Sequence, residues 1–281
     1  MNKERLLVSI TTYRKRFDNI PTVLDTMFNQ TVAPDLVVLN VAFDEVIPDE
    51  IRRYIESRPI EINRVKDTKV YKKLIPTLKK YPNDVIISID DDWLYPNDMI
   101  QDFMNIHKQY PNNPISGNRV VFYGLQCHCG CASLVKSSYF GNYLEMVDDD
   151  VIINCPSDDI VYTYFVNKSG HAYLRTENEY FMNMPAYNAI NGYTEATGNN
   201  NGIEQSYNYL VKRFGSIKNL AYPYLQDKYI ADIVSDIYRK SIKAEVRSNI
   251  EKEIKNSVTY RIGDILLKPI KTIRSWIRLI S

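Results

Sequence analysis

The stretch VIISIDDDWLYP, residues 85–96, is an apolar, mostly β-branched run that ends in three carboxylates, bulky side chains and a proline. Such a run predicts a short buried strand. The carboxylates of Asp90, Asp91 and Asp92 repel one another unless a cation or water compensates their charges. Two carboxylates separated by one residue at a strand end can hold a divalent cation together with water or phosphates. Asp90 and Asp92 have this spacing, and a solvated acidic turn is the alternative.

Strand-like and helix-like segments alternate along the N-terminal part of the chain. LLVSITTY, DLVVLNVAF, IEINRVKD and DVIISID resemble strands, and FDNIPTVLDTMFNQ, VIPDEIRRYIESR and YKKLIPTLKKYP between them resemble helices. This alternation predicts an α/β fold with a mostly parallel central sheet. Ligands of such sheets bind beyond the carboxyl ends of the strands. We therefore expect SITTYRKR and ISIDDD, each at such an end, to face one site.

A second pair of carboxylates stands at the start of a predicted helix. In CPSDDIVYTYFVNKSG, Pro156 and Ser157 mark the start of the helix and Gly170 lies just past its end. Acids in the first turn of a helix are favoured by its macrodipole without any catalytic task. A carboxylate held there in a cleft is also well placed to accept a proton from a hydroxyl nucleophile. The pattern leaves both interpretations open for Asp158 and Asp159.

A further acidic triple, Asp148, Asp149 and Asp150, precedes the apolar run VIIN. If that run is a strand, the acids lie at its amino end, away from the expected ligand edge of the sheet. We interpret the triple as a solvated loop.

The run CHCGC, residues 127–131, alternates three cysteines with other residues. On a strand this pattern puts the cysteines on one face as small apolar side chains and His128 on the other. Structural zinc sites typically pair cysteines at a wider spacing and draw on two such clusters, so the pattern argues against zinc. We expect packed or surface roles for His128 and His171.

Composition narrows the class of protein. A chain of 281 residues with 44% hydrophobic content can fill a large core, and a net charge of +1 offers no general field for nucleic acid. The N-terminal apolar run is too short for a signal peptide or a membrane span. The four cysteines do not form the framework of a secreted disulfide protein. These features favour a cytoplasmic protein.

Two domains are predicted: a main domain at residues 1–215, which the helical IEQSYNYLVKRFG closes, and a helical extension at 216–281. Residues 180–202 are rich in Asn, Gly, Tyr and Ala and predict a long loop that can act as a lid. The last residues, 268–281, combine isoleucines at helical spacing with Lys and Arg. They predict an amphipathic helix on an anionic membrane surface, at the inner face of the cell membrane, with a packed helix as the alternative.

Several motifs resemble those of bacterial glycosyltransferases of the GT-A fold, similar to glycosyltransferase family 2. VSITTYRKR with VLDTMFNQTVAPDLVVLNV resembles the first nucleotide-binding strand and helix, and VYKKLIPTLKKYPNDVIISIDDDWLYPNDMI resembles the segment with the DxD signature. CPSDDIVYTYF resembles the segment with the catalytic base, although the family more often has Glu where Asp158 stands. NNNGIEQSYNYLVKRFG resembles the closing helix. The resemblance covers residues 5–215 in the same order.

The resemblance implies metal-dependent, inverting transfer of a sugar from a nucleotide-diphosphate sugar to a glycan or lipid-linked glycan, in bacterial surface polysaccharide synthesis. Mn²⁺ or Mg²⁺ on Asp92, with Asp90 in support, would neutralise the leaving diphosphate. Asp159 is our first choice and Asp158 our second for the base that deprotonates the acceptor. Lys73 either reaches a phosphate or is a solvated helix charge. The residues expected near the nucleotide are Thr11, Tyr13, Arg16, Asp90 and Asp91.

Two other classes of protein remain as alternatives. A nucleotidyltransferase can use a similar sheet and paired acids, but it usually has a glycine-rich basic loop near its N-terminus, and SITTYRKR has no glycine. A non-catalytic carbohydrate-binding or membrane-adaptor protein would not require Asp90, Asp92 and Asp159 together.

Overall fold

A seven-stranded sheet forms the centre of the computed structural model, which describes residues 4–117, 121–122, 125–128, 130–176 and 202–217. Its strands are β1 (Leu6–Thr11), β2 (Leu36–Ala42), β3 (Ile60–Val65), β4 (Val85–Ile89), β5 (Ile115–Ser116), β8 (Ala132–Val135) and β9 (Leu174–Arg175), and a separate pair joins β6 (Val121–Phe122) to β7 (Leu125–Gln126). The strand order is β3-β2-β1-β4-β8-β5-β9. All neighbouring strands of this sheet pair in parallel except β8, which is antiparallel to β4 and β5.

Helices cover both faces of the sheet. They are α1 (Ile20–Phe28), α2 (Asp49–Glu56), α3 (Ile75–Lys80), α4 (Met99–Gln109), α5 (Asp149–Asn154), α6 (Asp158–Lys168) and α7 (Gly202–Phe214), with 3₁₀ helices at Arg14–Asn19, Lys69–Lys73, Ser137–Tyr139 and Gly141–Met146. One core packs α1, α2 and α4 around Val8 and Ile87, and the other packs α3, α5, α6 and α7 around Leu7 and Ile86. Successive strand residues thus enter opposite cores. This architecture confirms the predicted α/β fold with a mostly parallel central sheet.

Small buried polar side chains form a row across one face of the sheet. Ser88 on β4 pairs with Ser9 on β1 on one side and with Ser133 on β8 on the other. All three serines are fully buried. Serine occupies less space than the branched side chains around it, and the 3₁₀ helix Lys69–Lys73 approaches the sheet at Ser9. There Ser9 Oγ donates a hydrogen bond to the main-chain oxygen of Lys73 at 2.5 Å. The sheet therefore fixes the main chain of Lys73.

Asn40 on β2 strengthens this attachment. Its buried side-chain amide donates to Thr77 Oγ1 at 2.9 Å and to Ser9 Oγ at 3.1 Å, and its oxygen accepts a bond from Asn63 Nδ2 at 2.8 Å. Buried polar groups that satisfy one another in this way hold a local geometry firmly. The start of α3 is consequently tied to two strands.

The prediction of a strand at VIIN is wrong, because residues 149–154 form α5. Asp148 is the residue before the helix, and its side chain accepts a hydrogen bond from the main-chain nitrogen of Val151 at 2.9 Å. An aspartate cap of this kind favours a helix start. Short apolar runs are equally compatible with a strand or a buried helix, so periodicity did not decide between them.

The structure differs from the predicted strand at CHCGC as well. Cys127 and His128 lie between β7 and β8 rather than inside a strand, and Cys129 is outside the described residues. The loop predicted at residues 180–202 and the extension at 216–281 lie almost entirely outside them too, so both stay predictions, as does the domain boundary. All the described residues belong to one unit, 1–224. No helix in the described part of the chain is long and apolar enough to cross a membrane.

Candidate active site

The carboxyl ends of β1 and β4 meet at one edge of the sheet. Ile10 pairs with Ile89 in parallel register, so the segments that follow the two strands begin side by side. The three carboxylates after β4 therefore lie next to the loop after β1. The structure brings together the two segments that the sequence assigned to one site.

Asp91 is the internal anchor of this junction. Thr12 Oγ1 donates to one of its carboxylate oxygens at 2.7 Å, and Arg16 Nη1 donates to the other at 2.5 Å. Asn19 Nδ2 donates to its main-chain oxygen at 3.1 Å. Burial raises the pKa of Asp91, and the Arg16 charge opposes this rise. Because both oxygens are bound to protein groups, Asp91 holds the two segments together.

Asp92 lies closer to solvent than Asp91 and shares the same arginine. Arg16 Nη2 lies 3.1 Å from one carboxylate oxygen of Asp92. Burial and the neighbouring charge of Asp90 raise the pKa of Asp92 from 3.8 to about 6, despite Arg16. Arg16 therefore does not fully stabilise the ionised carboxylate of Asp92, and an additional cation would lower its pKa.

Tyr95 fixes the position of Asp90 and explains why an aromatic residue follows the acids. The main-chain nitrogen of Asp90 donates to Tyr95 Oη at 2.9 Å, and Tyr95 Oη donates to the main-chain oxygen of Cys131 at 2.7 Å. The buried ring thereby connects the end of β4 to the segment that leads into β8. A solvated acidic turn would need no such connection.

Lys73 is buried beside Asp90, so its interpretation as a solvated helix charge is wrong. Lys73 Nζ lies 2.8 Å from Asp90 Oδ1, 3.2 Å from the main-chain oxygen of Gly130 and 3.6 Å from Asp158 Oδ2. Burial lowers the pKa of Lys73, but the charges of Asp90, Asp158 and Asp159 outweigh this effect and hold it well above its ordinary value. The lysine is therefore charged, and it links the strand-end acids to the acids of α6.

Asp158 and Asp159 begin α6, where the helix dipole favours negative charge. Asp158 is buried, and burial raises its pKa more than Lys73 lowers it. Asp159 is only partly buried. The two neighbours thus have different environments: Asp158 is an interior partner of Lys73, and Asp159 is nearer to solvent.

Gly130 marks the point at which these groups converge. A Cβ atom at this position would lie 3.2 Å from Asp90 Oδ2, 3.3 Å from Lys73 Nζ and 3.4 Å from Asp159 Oδ1. A side chain there would press against the strand-end acid, the lysine and the helix-start acid. Glycine at this position avoids these close contacts.

The carboxylates of this edge fit a divalent cation. Within the described residues, five carboxylates meet two cations here, Arg16 and Lys73, and burial together with the charge of Asp90 raises the pKa of Asp92. No group of three or more His, Cys, Asp or Glu side chains in the described part of the chain could hold a metal ion by itself. Mg²⁺ usually binds through one or two carboxylates, with waters and substrate phosphates as its other ligands. Asp92 and Asp90 would be the two carboxylates of such a site.

The other predicted site residues lie along the loop after β1. Thr11 ends β1, and its hydroxyl donates to the main-chain oxygen of Asn40 at 2.8 Å, towards β2. The ring of Tyr13 is 5.7 Å from the Arg16 guanidinium, which is within cation–π range. Both residues are partly buried and flank Thr12, which binds Asp91, and this position is compatible with a role in nucleotide binding.

The described histidines are packed, as expected. His128 is buried, with Nδ1 2.9 Å from Tyr173 Oη and its ring 4.9 Å from that of Tyr162. Burial lowers the pKa of His128, so its imidazole is neutral. His171 Nδ1 lies 2.7 Å from the main-chain oxygen of Asn112. Neither residue enters the carboxylate cluster.

The second acidic triple is exposed but lies nearer to the ligand edge than the sequence suggested. Asp149 pairs with Lys66, the residue after β3, at 2.7 Å. Arg213 on α7 lies 2.6 Å from Asp148 Oδ2 and 3.1 Å from Asp150 Oδ2. The hydrogen bond from Arg213 lowers the pKa of Asp148 to about 2. These acids are exposed to solvent, whereas the acids after β4 are more buried and share Lys73 with Asp158.

Sequence reasoning missed several contributors to the site, among them Gly130, Ser9 and Asn40. Two signals were available in the sequence. One was the glycine within CHCGC, and the other was the presence of polar residues inside strongly apolar strands. Such residues in a strand interior often indicate a close approach of another backbone. Here that approach is the main chain of Lys73.

Comparison with known proteins supports the fold. No protein-family model and no curated protein matches the chain. Among solved structures, it is similar to the mannosyltransferase PcManGT from Pyrobaculum calidifontis in complex with GDP-Man and Mn²⁺. The TM-score is 0.56, with 15% identity over 92% of this chain and 82% of that chain. The chain therefore has an α/β, Rossmann-like fold of the GT-A type.

Two solved 4-diphosphocytidyl-2C-methyl-D-erythritol synthases are more distant. The first has a TM-score of 0.43 and 11% identity over 64% of this chain and 92% of that chain. The second, from Anaerococcus prevotii, has a TM-score of 0.45 and 11% identity over 63% of this chain and 89% of that chain. The assignment of the fold rests on the mannosyltransferase.

The raised pKa of Asp92 predicts a specific pH dependence of stability. The folded state binds a proton at Asp92 up to about pH 6, whereas the unfolded state has lost it above about pH 4, so stability falls as the pH rises through this window. Between pH 5 and pH 7 the wild type should therefore lose about 1 kcal/mol relative to Asp92→Asn. Urea unfolding with EDTA present measures this difference.

Asp148→Asn is the control, because the pKa of Asp148 is about 2 and its charge does not change in that range. Its stability should differ from the wild type by a constant amount between pH 5 and pH 7. If the difference for Asp92→Asn is also constant, Asp92 does not have the raised pKa described above.

Proposed function

We propose that the chain is a metal-dependent, inverting glycosyltransferase that moves a sugar from a nucleotide-diphosphate sugar to an acceptor hydroxyl. One observation carries this proposal. At the carboxyl edge of a GT-A-type sheet, Asp90 Oδ2 and Asp159 Oδ1 both lie close to Gly130, 3.2 Å and 3.4 Å from the position that its Cβ would take. A strand-end acid for the donor and a helix-start acid for the acceptor are what this reaction requires at one place.

On the donor side, Asp92 would be the principal metal ligand and Asp90 the supporting one. The chemistry that Mn²⁺ or Mg²⁺ supplies, when bound, is compensation of the negative charge that develops on the departing nucleoside diphosphate. Arg16 orients Asp92 and is itself fixed by Asp91. Thr11 and Tyr13 would contact the nucleotide from the loop after β1.

On the acceptor side, Asp159 would accept the proton of the attacking hydroxyl. The oxygen then forms its bond to the anomeric carbon while the bond from that carbon to the diphosphate breaks, which inverts the configuration. Asp158 is less suitable because its carboxylate is buried against Lys73. Asp159 lies nearer to solvent at the same helix start. The structure thus favours the choice made from the sequence.

The identity of the acceptor rests on the sequence. The resemblance to bacterial family 2 transferases supports a glycan or lipid-linked glycan in surface polysaccharide synthesis. The basic, amphipathic pattern of residues 268–281 supports attachment to the inner face of the cell membrane. Both belong to the proposal.

Donor binding should depend on a metal ion and on Asp92. We expect a UDP-, GDP- or dTDP-sugar to bind in calorimetric titrations with Mn²⁺ and much more weakly with EDTA. Asp92→Asn should reduce the Mn²⁺-dependent affinity by about tenfold or more, since a good carboxylate–metal contact contributes at least about 1.4 kcal/mol. Asp149→Asn, in the exposed triple, should bind like the wild type.

Equal affinity of the wild type and Asp92→Asn would remove Asp92 from the site. Release of pyrophosphate from a nucleoside triphosphate and a sugar phosphate would instead identify a nucleotidyltransferase.

Replacing the base should separate binding from chemistry. Asp159→Asn should bind the donor with unchanged affinity and lower kcat by about 10²–10⁴-fold, because a general base acts only in the transition state. Asp158→Asn keeps Asp159 and should retain more activity. Steady-state kinetics of both variants measure this contrast. If Asp158→Asn is inactive and Asp159→Asn is active, the two roles are reversed.

A further inference from the structure

Lys73 is already paired with protein groups in this geometry. Nζ of Lys73 donates hydrogen bonds to Asp90 Oδ1 at 2.8 Å and to the main-chain oxygen of Gly130 at 3.2 Å, and it lies at ion-pair distance, 3.6 Å, from Asp158 Oδ2. The side chain is only 5% exposed. A phosphate ligand would have to compete with Asp90 and Asp158 for this buried ammonium.

The main chain of Lys73 is fixed independently of any ligand. Ser9 Oγ donates to its carbonyl oxygen at 2.5 Å, and Asn40 Nδ2 lies 3.5 Å from the same oxygen. The preceding residue, Lys72, is equally buried but pairs with Asp67, which is largely exposed. The two adjacent lysines thus pair with different carboxylates. Of the two, Lys73 is the one that lies at the active-site edge.

We propose that Lys73 is a positioning residue: a built-in cation that connects the donor-side carboxylate of Asp90 to Asp158 at the start of the base helix. This inference rests on the proposed function in one respect, because it treats Asp90 and Asp92 as metal ligands. Lys73 and the metal ion are then the two cations that share these carboxylates. Lys73 takes Asp90 Oδ1 and opposes metal binding by its charge. A divalent ion would therefore depend mainly on Asp92, with Asp90 in support.

Two consequences follow from simple electrostatics. Without the ammonium, the edge loses one positive charge and Asp90 has both oxygens available, so an external cation should bind more tightly. At the same time, the buried carboxylate of Asp158 loses its cation, which should destabilise the fold. A phosphate-binding lysine would behave differently, because its loss would weaken diphosphate binding without strengthening metal binding.

The test compares Lys73→Met with Lys72→Met, using Mn²⁺ alone as the probe and electron paramagnetic resonance of unbound Mn²⁺ as the readout. Lys73→Met should bind Mn²⁺ about tenfold more tightly than the wild type, a factor that corresponds to about 1.4 kcal/mol. Lys72→Met should bind it like the wild type. Unchanged or weaker Mn²⁺ binding by Lys73→Met would overturn the proposal, especially if UDP and GDP affinity falls while UMP and GMP affinity does not.

The link to Asp158 is tested by the double variant Lys73→Met/Asp158→Asn. Lys73→Met should lower the melting temperature. Adding Asp158→Asn to this variant should raise the melting temperature again in part, whereas Asp158→Asn alone should not raise that of the wild type. The double variant should keep part of the tighter Mn²⁺ binding, because Asp90 still has both oxygens available, and this preserves the test if Lys73→Met alone fails to fold. Additive effects, or a double variant that does not fold, would refute the link.

These results are separable from the proposed function. If the wild type binds Mn²⁺ and the double variant shows the coupling, but no nucleotide sugar binds, the proposed function fails and the role of Lys73 stands. If nucleotide sugars bind and the coupling is absent, the proposed function stands and the proposed role of Lys73 fails.

Discussion

The repulsion among carboxylates at one edge of the sheet is the constraint on which the rest of the site depends. Asp90, Asp91 and Asp92 follow β4 directly, and α6 brings two more acids to the same place. Arg16 and Lys73 compensate part of this charge from inside the protein. Burial and the remaining negative charge of Asp90 raise the pKa of Asp92, and a divalent cation at this edge would lower it.

The position of Lys73 follows from the interior of the sheet. Ser9 and Asn40 replace apolar residues in strands that are otherwise strongly apolar, and they bind the main chain that carries the lysine. Buried polar groups are costly unless they are satisfied, and here they satisfy one another. The sheet thereby loses some apolar contact and gains a fixed cation beside its ligand edge. Fold and site are joined through these few hydrogen bonds.

The features that sequence could predict are local ones. The strand-end triple, the start of α6 and the alternation of strands and helices each depend on adjacent residues, and the structure contains all three. The burial of Lys73 could not be predicted, because it depends on partners 17 and 57 residues away in the chain, Asp90 and Gly130. Nor could the helix after Asp148, since a short apolar run fits a strand or a helix equally well.

The central claim is that the edge beside Asp92 holds a divalent cation under the diphosphate of a nucleotide sugar. Anomalous diffraction from crystals soaked with Mn²⁺ and a nucleoside diphosphate tests it most directly. The account predicts a manganese peak at coordination distance, about 2–2.5 Å, from an Asp92 carboxylate oxygen and in contact with the diphosphate. A peak at the exposed carboxylates of Asp148–Asp150 instead, or a bound diphosphate with no manganese at Asp92, would contradict it.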